Sequence, residues 1–406
     1  MSSSLIAQID ELTASILPDL IEIRHDLHAH PQRGFEETYA AEVVQREMEA
    51  ADVPFKAAVA RTGVVGWLAP PGGPSGDAIA LRADMDALPI VEQTGLPYAS
   101  TFDGCMHACG HDGHMAVLIG TARVLSRLRD ALPQPVKLIF QPAEEGRGGA
   151  REVIADGALD ETVGGVKVGM IFGLHGWPSL ESGTVATREG AVMARADSFR
   201  ITVRGRGGHG AMPQTAADPV LAAAHVVTAI QSIVARNVDP ADAAVITVGR
   251  FQAGTAVNII PESAELAGTI RSLDDETAGL LHTRLADIAR QIAGGLGCSA
   301  DVHVESEYPV TANDAAATRR LMRAAAAVLG RRNTRALEKP EMGSEDFSCY
   351  CQRVPGCLFF LGVRPKGRSA CPSLHSPEFD FRDEAITPGV RVMAGLALGL
   401  GQRGKA

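Results

Sequence analysis

The chain has 406 residues and a mass of 42.6 kDa, with 46% hydrophobic, 21% charged and 4% aromatic residues, which excludes the disordered and fibrous classes. Lys and Arg total 38 against 48 Asp and Glu, so the net charge of -10 provides no basic footprint for nucleic acid or an anionic membrane. The length suits two or three domains and a core of ample size, with a small molecule as the default partner.

Leu5, Ile9, Leu12, Ile16, Leu20 and Ile23 recur at three- and four-residue intervals, which predicts an amphipathic helix ending near Pro31. Asp10 and Glu11 interrupt the apolar stretch there, so a signal peptide is not expected. Residues 62–68 and 78–83 read as short apolar strands, the second running into the acidic turn Asp84-Met85-Asp86. A helical pattern over 113–128 follows, then a buried strand over 136–140 that leads into Pro142-Ala143-Glu144-Glu145-Gly146. Strands alternating with helices predict an α/β layer with a mixed, largely parallel sheet, in which ligands gather beyond the carboxyl ends of the strands.

From residue 188 to 308 the pattern becomes strand (198–204), helix (218–238), strands (244–251 and 262–272), helix (276–296) and strand (299–308). This is the split βαβ order of a ferredoxin-like α+β domain. Helix, strand and helix patterns at 315–329, 358–363 and 387–400 then resume the first theme. We therefore expect a discontinuous first domain over 1–187 and 309–406 with an inserted domain over 188–308. The apolar run 220–230 contains His225 and falls short of the ~18 residues of a membrane helix. Seven cysteines, an odd set without disulfide-scaffold spacing, predict reduced thiols and a cytoplasmic location.

The densest constellation is Cys105-Met106-His107-Ala108-Cys109-Gly110-His111-Asp112-Gly113-His114. Singly, such residues are more often structural than functional, but together they point to metal ligation or thiol catalysis. Glu144-Glu145 closes an apolar strand, where one carboxylate can bind a metal while its neighbour handles protons; alone, it reads better as a solvated acidic turn. His175 and His375 each follow a short apolar strand or turn. With Cys109, His111 and Glu145 they supply thiolate, imidazole and carboxylate, the donor types of a binuclear hydrolytic site.

The motifs RADMDALP (82–89), CMHACGHDGH (105–114), PAEEG (142–146), GLHGWP (173–178), GRGGHGAMP (205–213), AVNIIPESAELAGTIRSLD (256–274), MGSEDF (342–347) and SLHSPEF (373–379) occur in that order. They resemble the M20 metallopeptidase family, and within it the amidohydrolase branch of hippurate hydrolases, N-acyl-amino-acid hydrolases and auxin-conjugate hydrolases. The resemblance implies a catalytic domain with an inserted lid that also dimerises. Cys109, His111, Glu145, His175 and His375 would hold two divalent metal ions, with Cys109 bridging them, and Glu144 would be the general base and acid. Asp86 would orient a ligand. His209 would donate to the oxyanion in the partner subunit's site, Asn258 and Arg271 would bind the amino-acid carboxylate, and Gly343 and Ser344 would line the pocket.

Departures from the wider family accompany the resemblance: Cys109 and His175 stand where carboxylates are usual, and Asp84-Met85-Asp86 replaces a His-x-Asp motif, with His111 compensating. Thiolate and imidazole donors suit Zn, Co or Ni, and open carboxylate positions also admit Mn. The expected reaction is hydrolysis of N-acyl amino acids, such as N-benzoyl or N-acetyl compounds, to a carboxylic acid and a free amino acid by a homodimer or higher homo-oligomer. Alternatives are a dipeptidase or aminopeptidase of the same family, or a hydrolase with Cys109 or Cys105 as nucleophile. On their own residues, Arg271 ends a strand, Glu345 and Asp346 can cap a helix, and His25, His28 and His30 are structural.

Overall fold

A computed structural model describes residues 2–73 and 76–402, and the chain divides into two compact units. The first comprises Met1–Val192, Ala312–Lys339 and Asp346–Ala406; the second comprises Met193–Thr311 and Pro340–Glu345. Residues 340–345, which the sequence pattern leaves in the first domain, thus carry Gly343 and Ser344 into the second unit. All seven cysteines are free thiols.

The first unit is built on an eight-stranded sheet in the spatial order Phe55–Val59, Gly63–Leu68, Val136–Gln141, Ala78–Asp84, Val168–Glu181, Gly356–Arg364, Val185–Thr187 and Thr334–Ala336. The run from Val136–Gln141 to Gly356–Arg364 is parallel, and antiparallel pairings join it to the strands at either side. Ala78–Asp84 and Val136–Gln141 are buried at every position, as befits central parallel strands covered on both faces. Helices Ser2–Ala29, His111–Arg127, Ala315–Leu329 and Ile386–Ala397 pack on one another and on this sheet.

Two elements had little signal in the sequence. The buried face of helix Thr38–Ala50 includes Ala40 and Ala41 beside Val43, Val44 and Met48, which blunts its periodicity. Strand Val168–Glu181 is broken up in sequence by Gly173, Gly176 and Pro178, so only its middle around His175 reads as strand. Its register matters for the site. Arg82 lies opposite Gly173 and Asp84 opposite Gln141, so two residues further on, His175 stands level with both strand ends.

The second unit is a four-stranded antiparallel sheet, in the order Ala244–Ala253, Ser263–Ser272, Arg195–Arg204 and Ser299–Tyr308. Helices Pro219–Asn237 and Asp275–Gly295 pack on it, and both begin at an aspartate cap: Asp218 accepts from Val220 N at 2.8 Å and Asp274 from Thr277 N at 2.7 Å. Pro219–Asn237 is long and apolar enough to cross a membrane, but Ala222, Ala223, Val226, Ile230 and Ile233 are buried in the unit's own core with Ile201, Leu266 and Leu285.

Candidate metal centre

The loop bearing Cys109 turns into helix His111–Arg127 at Gly110, whose φ of +86° is a left-handed conformation that favours glycine. One turn on, Gly113 admits a phenyl ring: a Cβ there would sit 2.1 Å from Phe381 Cδ1. Glu144 follows Ala143, which is held at a φ of 57° with its amide bonded to Glu37 Oε1 at 2.8 Å. His375 likewise has a positive φ, 63°, and its amide donates to Ala108 O at 2.9 Å, which ties the SLHSPEF segment to the Cys109 loop. Non-glycine residues in this region are uncommon and cluster at functional sites.

These turns bring the predicted ligands together. Cys109 Sγ lies 3.4 Å from His175 Nε2, and the donor atoms of Cys109, His111 and His175 are all within 4.8 Å of one another. Cys109, Glu145 and His375 form a second such set, with His375 Nε2 3.2 Å from Glu145 Oε1. The thiol of Cys109 belongs to both sets. Glu144 forms a further set with His111 and Glu145. Every member is buried or half-buried except His375, whose side chain is 53% exposed.

Hydrogen bonds orient the donors toward this shared space. His175 Nδ1 donates to Gly176 O at 2.9 Å, which turns the Nε2 lone pair toward Cys109 Sγ. Asp86 serves two neighbours: Oδ1 lies 3.2 Å from His111 Nδ1, and Oδ2 accepts from the Glu145 amide at 2.9 Å. Among the described residues, His111 Nε2 is buried without a hydrogen-bond partner and Glu145 Oε1 faces only the exposed His375 imidazole, an arrangement that a cation would satisfy. The chemistry of these donors and the sharing of Cys109 between the two sets fit a pair of divalent ions.

The electrostatics of the cluster point the same way. Burial, then Glu145 and Glu144, push the Cys109 thiol well above its ordinary value. Burial opposes charge on His111, but Asp84, Asp86 and Glu145 together raise it to about 10, whereas burial and the neighbouring imidazoles lower His175 to about 3. These shifts favour protons on Cys109 and His111, which offset the neighbouring carboxylates, and a divalent cation would take their place.

Arg82, Asp84, His114 and Asp346, which lie within the motifs, form a buried layer beside the candidate ligands. His114 Nδ1 donates to Asp84 Oδ1 at 2.6 Å and its Nε2 accepts from Gly176 N at 2.7 Å, so neither ring nitrogen is open to a metal. Asp346 does not cap the short helix Ser348–Cys351; its carboxylate instead accepts from Arg82, Gln141 and the Ala150 amide. Nothing in the spacing of these residues marks them, because the contacts join distant segments. His28 bonds Asp112 at 2.9 Å and Glu92 at 3.3 Å, His25 bonds Asp383 at 3.0 Å, and His30 bonds Asp26 O at 2.8 Å, all outside the ligand sets.

Within the second unit, His209 and Asn258 are exposed neighbours on the two-stranded ribbon of Gly208–His209 and Ile259–Ile260, where Gly210 N donates to Asn258 O at 2.9 Å. The Ala211 amide donates to His209 Nδ1 at 3.0 Å, so this ring carries its proton on Nε2 and presents a donor. Arg271 is half-buried on Ser263–Ser272, with NH1 donating to Ile270 O at 3.2 Å. Gly343 accepts from Ala194 N at 2.8 Å, and Ser344 follows it half-buried.

Residues 80–399 match the model of peptidase family M20/M25/M40. The chain is 38% identical over 382 residues to IAA-amino acid hydrolase ILR1-like 4 of Arabidopsis thaliana, covering 93% of this chain and 84% of that protein. It is also 38% identical over 384 residues to N-acetylcysteine deacetylase of Bacillus subtilis (strain 168), covering 93% and 96% respectively. Among solved structures, a Bacillus subtilis protein described as a dinuclear metal-binding peptidase of the M20 family superposes with a TM-score of 0.80 at 34% identity, covering 95% of this chain and 98% of that one.

Proposed function

The chain belongs to peptidase family M20/M25/M40, and on that footing we propose that it is a binuclear metal-dependent amidohydrolase that cleaves N-acyl amino acids into a carboxylic acid and a free amino acid. The observation that carries this reading is the pair of ligand sets sharing Cys109, with Glu144 beside them. Cys109, His111, Glu145, His175 and His375 would hold Zn, Mn, Co or Ni. When bound, the ions supply a Lewis acid for the amide carbonyl and acidify the attacking water.

The protein's own groups do the rest. Glu144 is 7% exposed, and Asp346 N donates to its Oε1 at 3.3 Å. In this reading its carboxylate takes the water's proton and returns it to the leaving nitrogen. The Nε2 proton of His209 is the donor to the developing oxyanion, and the exposed edge strand Ala244–Ala253, with Val245 and Phe251 uncovered, is the seam through which two copies would pair. Asn258 and Arg271 would hold the amino-acid carboxylate, with Gly343 and Ser344 lining the pocket.

Metal analysis of the purified protein, combined with a screen of N-acetyl, N-benzoyl and indole-acetyl amino acids and dipeptides, tests this reading. We expect two equivalents of metal, loss of activity in chelator and preference for an acylated amino acid. Faster turnover of dipeptides would shift the substrate class to peptides. Chelator-resistant activity blocked by alkylation would instead favour a thiol nucleophile, against which stands the Cys109 thiol itself, which burial and then Glu145 and Glu144 push well above its ordinary value.

A further inference from the structure

Arg82 sits on Ala78–Asp84 with its guanidinium fully buried. NH1 donates to Asp84 Oδ2 at 2.6 Å, NH2 to Asp346 Oδ1 at 3.1 Å and Nε to Gln141 Oε1 at 2.9 Å. From Asp84 the contacts pass through His114 to the Gly176 amide, and the carbonyl of that same residue holds His175 Nδ1. Gly176 is thus clamped at both of its backbone polar groups, one by the Arg82 network and one by the ligand. On the other side, the Asp346 carboxylate is fixed by Arg82, by Gln141 Nε2 at 2.8 Å and by the Ala150 amide at 2.9 Å, while its own backbone N–H donates to Glu144 Oε1.

A buried ion pair rarely adds net stability over a well-packed apolar replacement, but a satisfied buried network fixes geometry. The fork of a guanidinium suits this task because it holds carboxylates at set angles. We propose that Arg82 is a positioning residue for both halves of the centre, setting the imidazole of His175 through Asp84, His114 and Gly176, and the carboxylate of Glu144 through Asp346. The inference rests on the reading of His175 as a ligand and Glu144 as the base.

The two arms separate by experiment on the full chain, with Zn(II) affinity measured by chelator competition and with kcat and KM measured at saturating metal. His114→Phe should weaken Zn(II) binding by ~10- to 100-fold while kcat at saturating metal stays near wild type. Asp346→Asn should lower kcat by ~10-fold or more with Zn(II) affinity and KM unchanged, as expected when a base is displaced. Arg82→Lys should show both defects; if it does not fold, the other two variants decide. Wild-type Zn(II) affinity in His114→Phe, or wild-type kcat in Asp346→Asn, overturns the proposal. His175→Ala and Glu144→Gln serve as controls. Should His175→Ala bind Zn(II) normally or Glu144→Gln turn over normally, the reading of the centre fails; should these behave as expected while the network variants do not, Arg82 alone loses its role.

Discussion

The first turn of helix His111–Arg127 sends its polar side chains to two regions with similar composition and opposite chemistry. His111 enters the candidate ligand cluster with Cys109, His175, Glu144 and Glu145. Asp112, the next residue, turns to His28 and Arg24, and Arg24 continues to Asp380 and Asp383 at 2.8 Å each and to the carbonyl of Phe381. Both regions mix buried imidazoles and carboxylates. What separates them is the counter-charge: an arginine and a histidine face the carboxylates of the second cluster, whereas in the first Glu145 and Asp86 face imidazoles. Counting His, Asp and Glu does not separate the two clusters; the source of the counter-charge does.

The largest effect should come from Glu144, which has no counterpart in the second cluster. Glu144→Gln should lower kcat by ~100- to 10,000-fold while metal content and substrate affinity hold. Glu145→Gln should instead release metal. Reversed phenotypes, read by elemental analysis beside steady-state kinetics, would exchange the roles of the two carboxylates.

Next in size are the effects on metal retention. Cys109→Ser should lower metal content and turnover together, since both ligand sets lose their shared donor. Asp86→Ala should weaken metal binding by ~10- to 100-fold, because it frees both the His111 ring and the Glu145 amide. Full occupancy in Cys109→Ser would remove the bridging assignment.

Much of this division was legible in the sequence. The apolar strands at 78–83 and 136–140 end at polar turns, as parallel strands approaching a site do, and the strand–helix order over 188–308 matches the second unit's four-stranded sheet with two helices. The motifs carried Cys109, His111, Glu144, Glu145, His175 and His375, and the structure gathers those side chains. The work of Arg82, Asp84, His114 and Asp346 was not legible, because it depends on which of several chemically suitable partners the fold brings within 3 Å. His114 shows the limit best: it lies in the same motif as His111, yet Asp84 and Gly176 N engage both of its nitrogens.

The smallest effect on the centre should follow from breaking the second cluster at His28. Facing His28 are Asp112, Glu92, Arg24, Tyr98 and His107, and its pKa stands at about 9 against an ordinary 6.5, because Asp112 and then Glu92 outweigh the cost of burial. A folded-state pKa above the unfolded one adds stability that is fully present below about pH 6.5 and is lost as pH rises through about 9. The difference in unfolding free energy between wild type and His28→Gln, followed by denaturant titration at fixed metal, should therefore shrink by up to about 3 kcal/mol across that interval. Metal content at pH 7 should not change. A pH-independent difference would mean that His28 is neutral in the fold, and metal loss in His28→Gln would mean that the two clusters share charge across Asp112 rather than being neutralised separately.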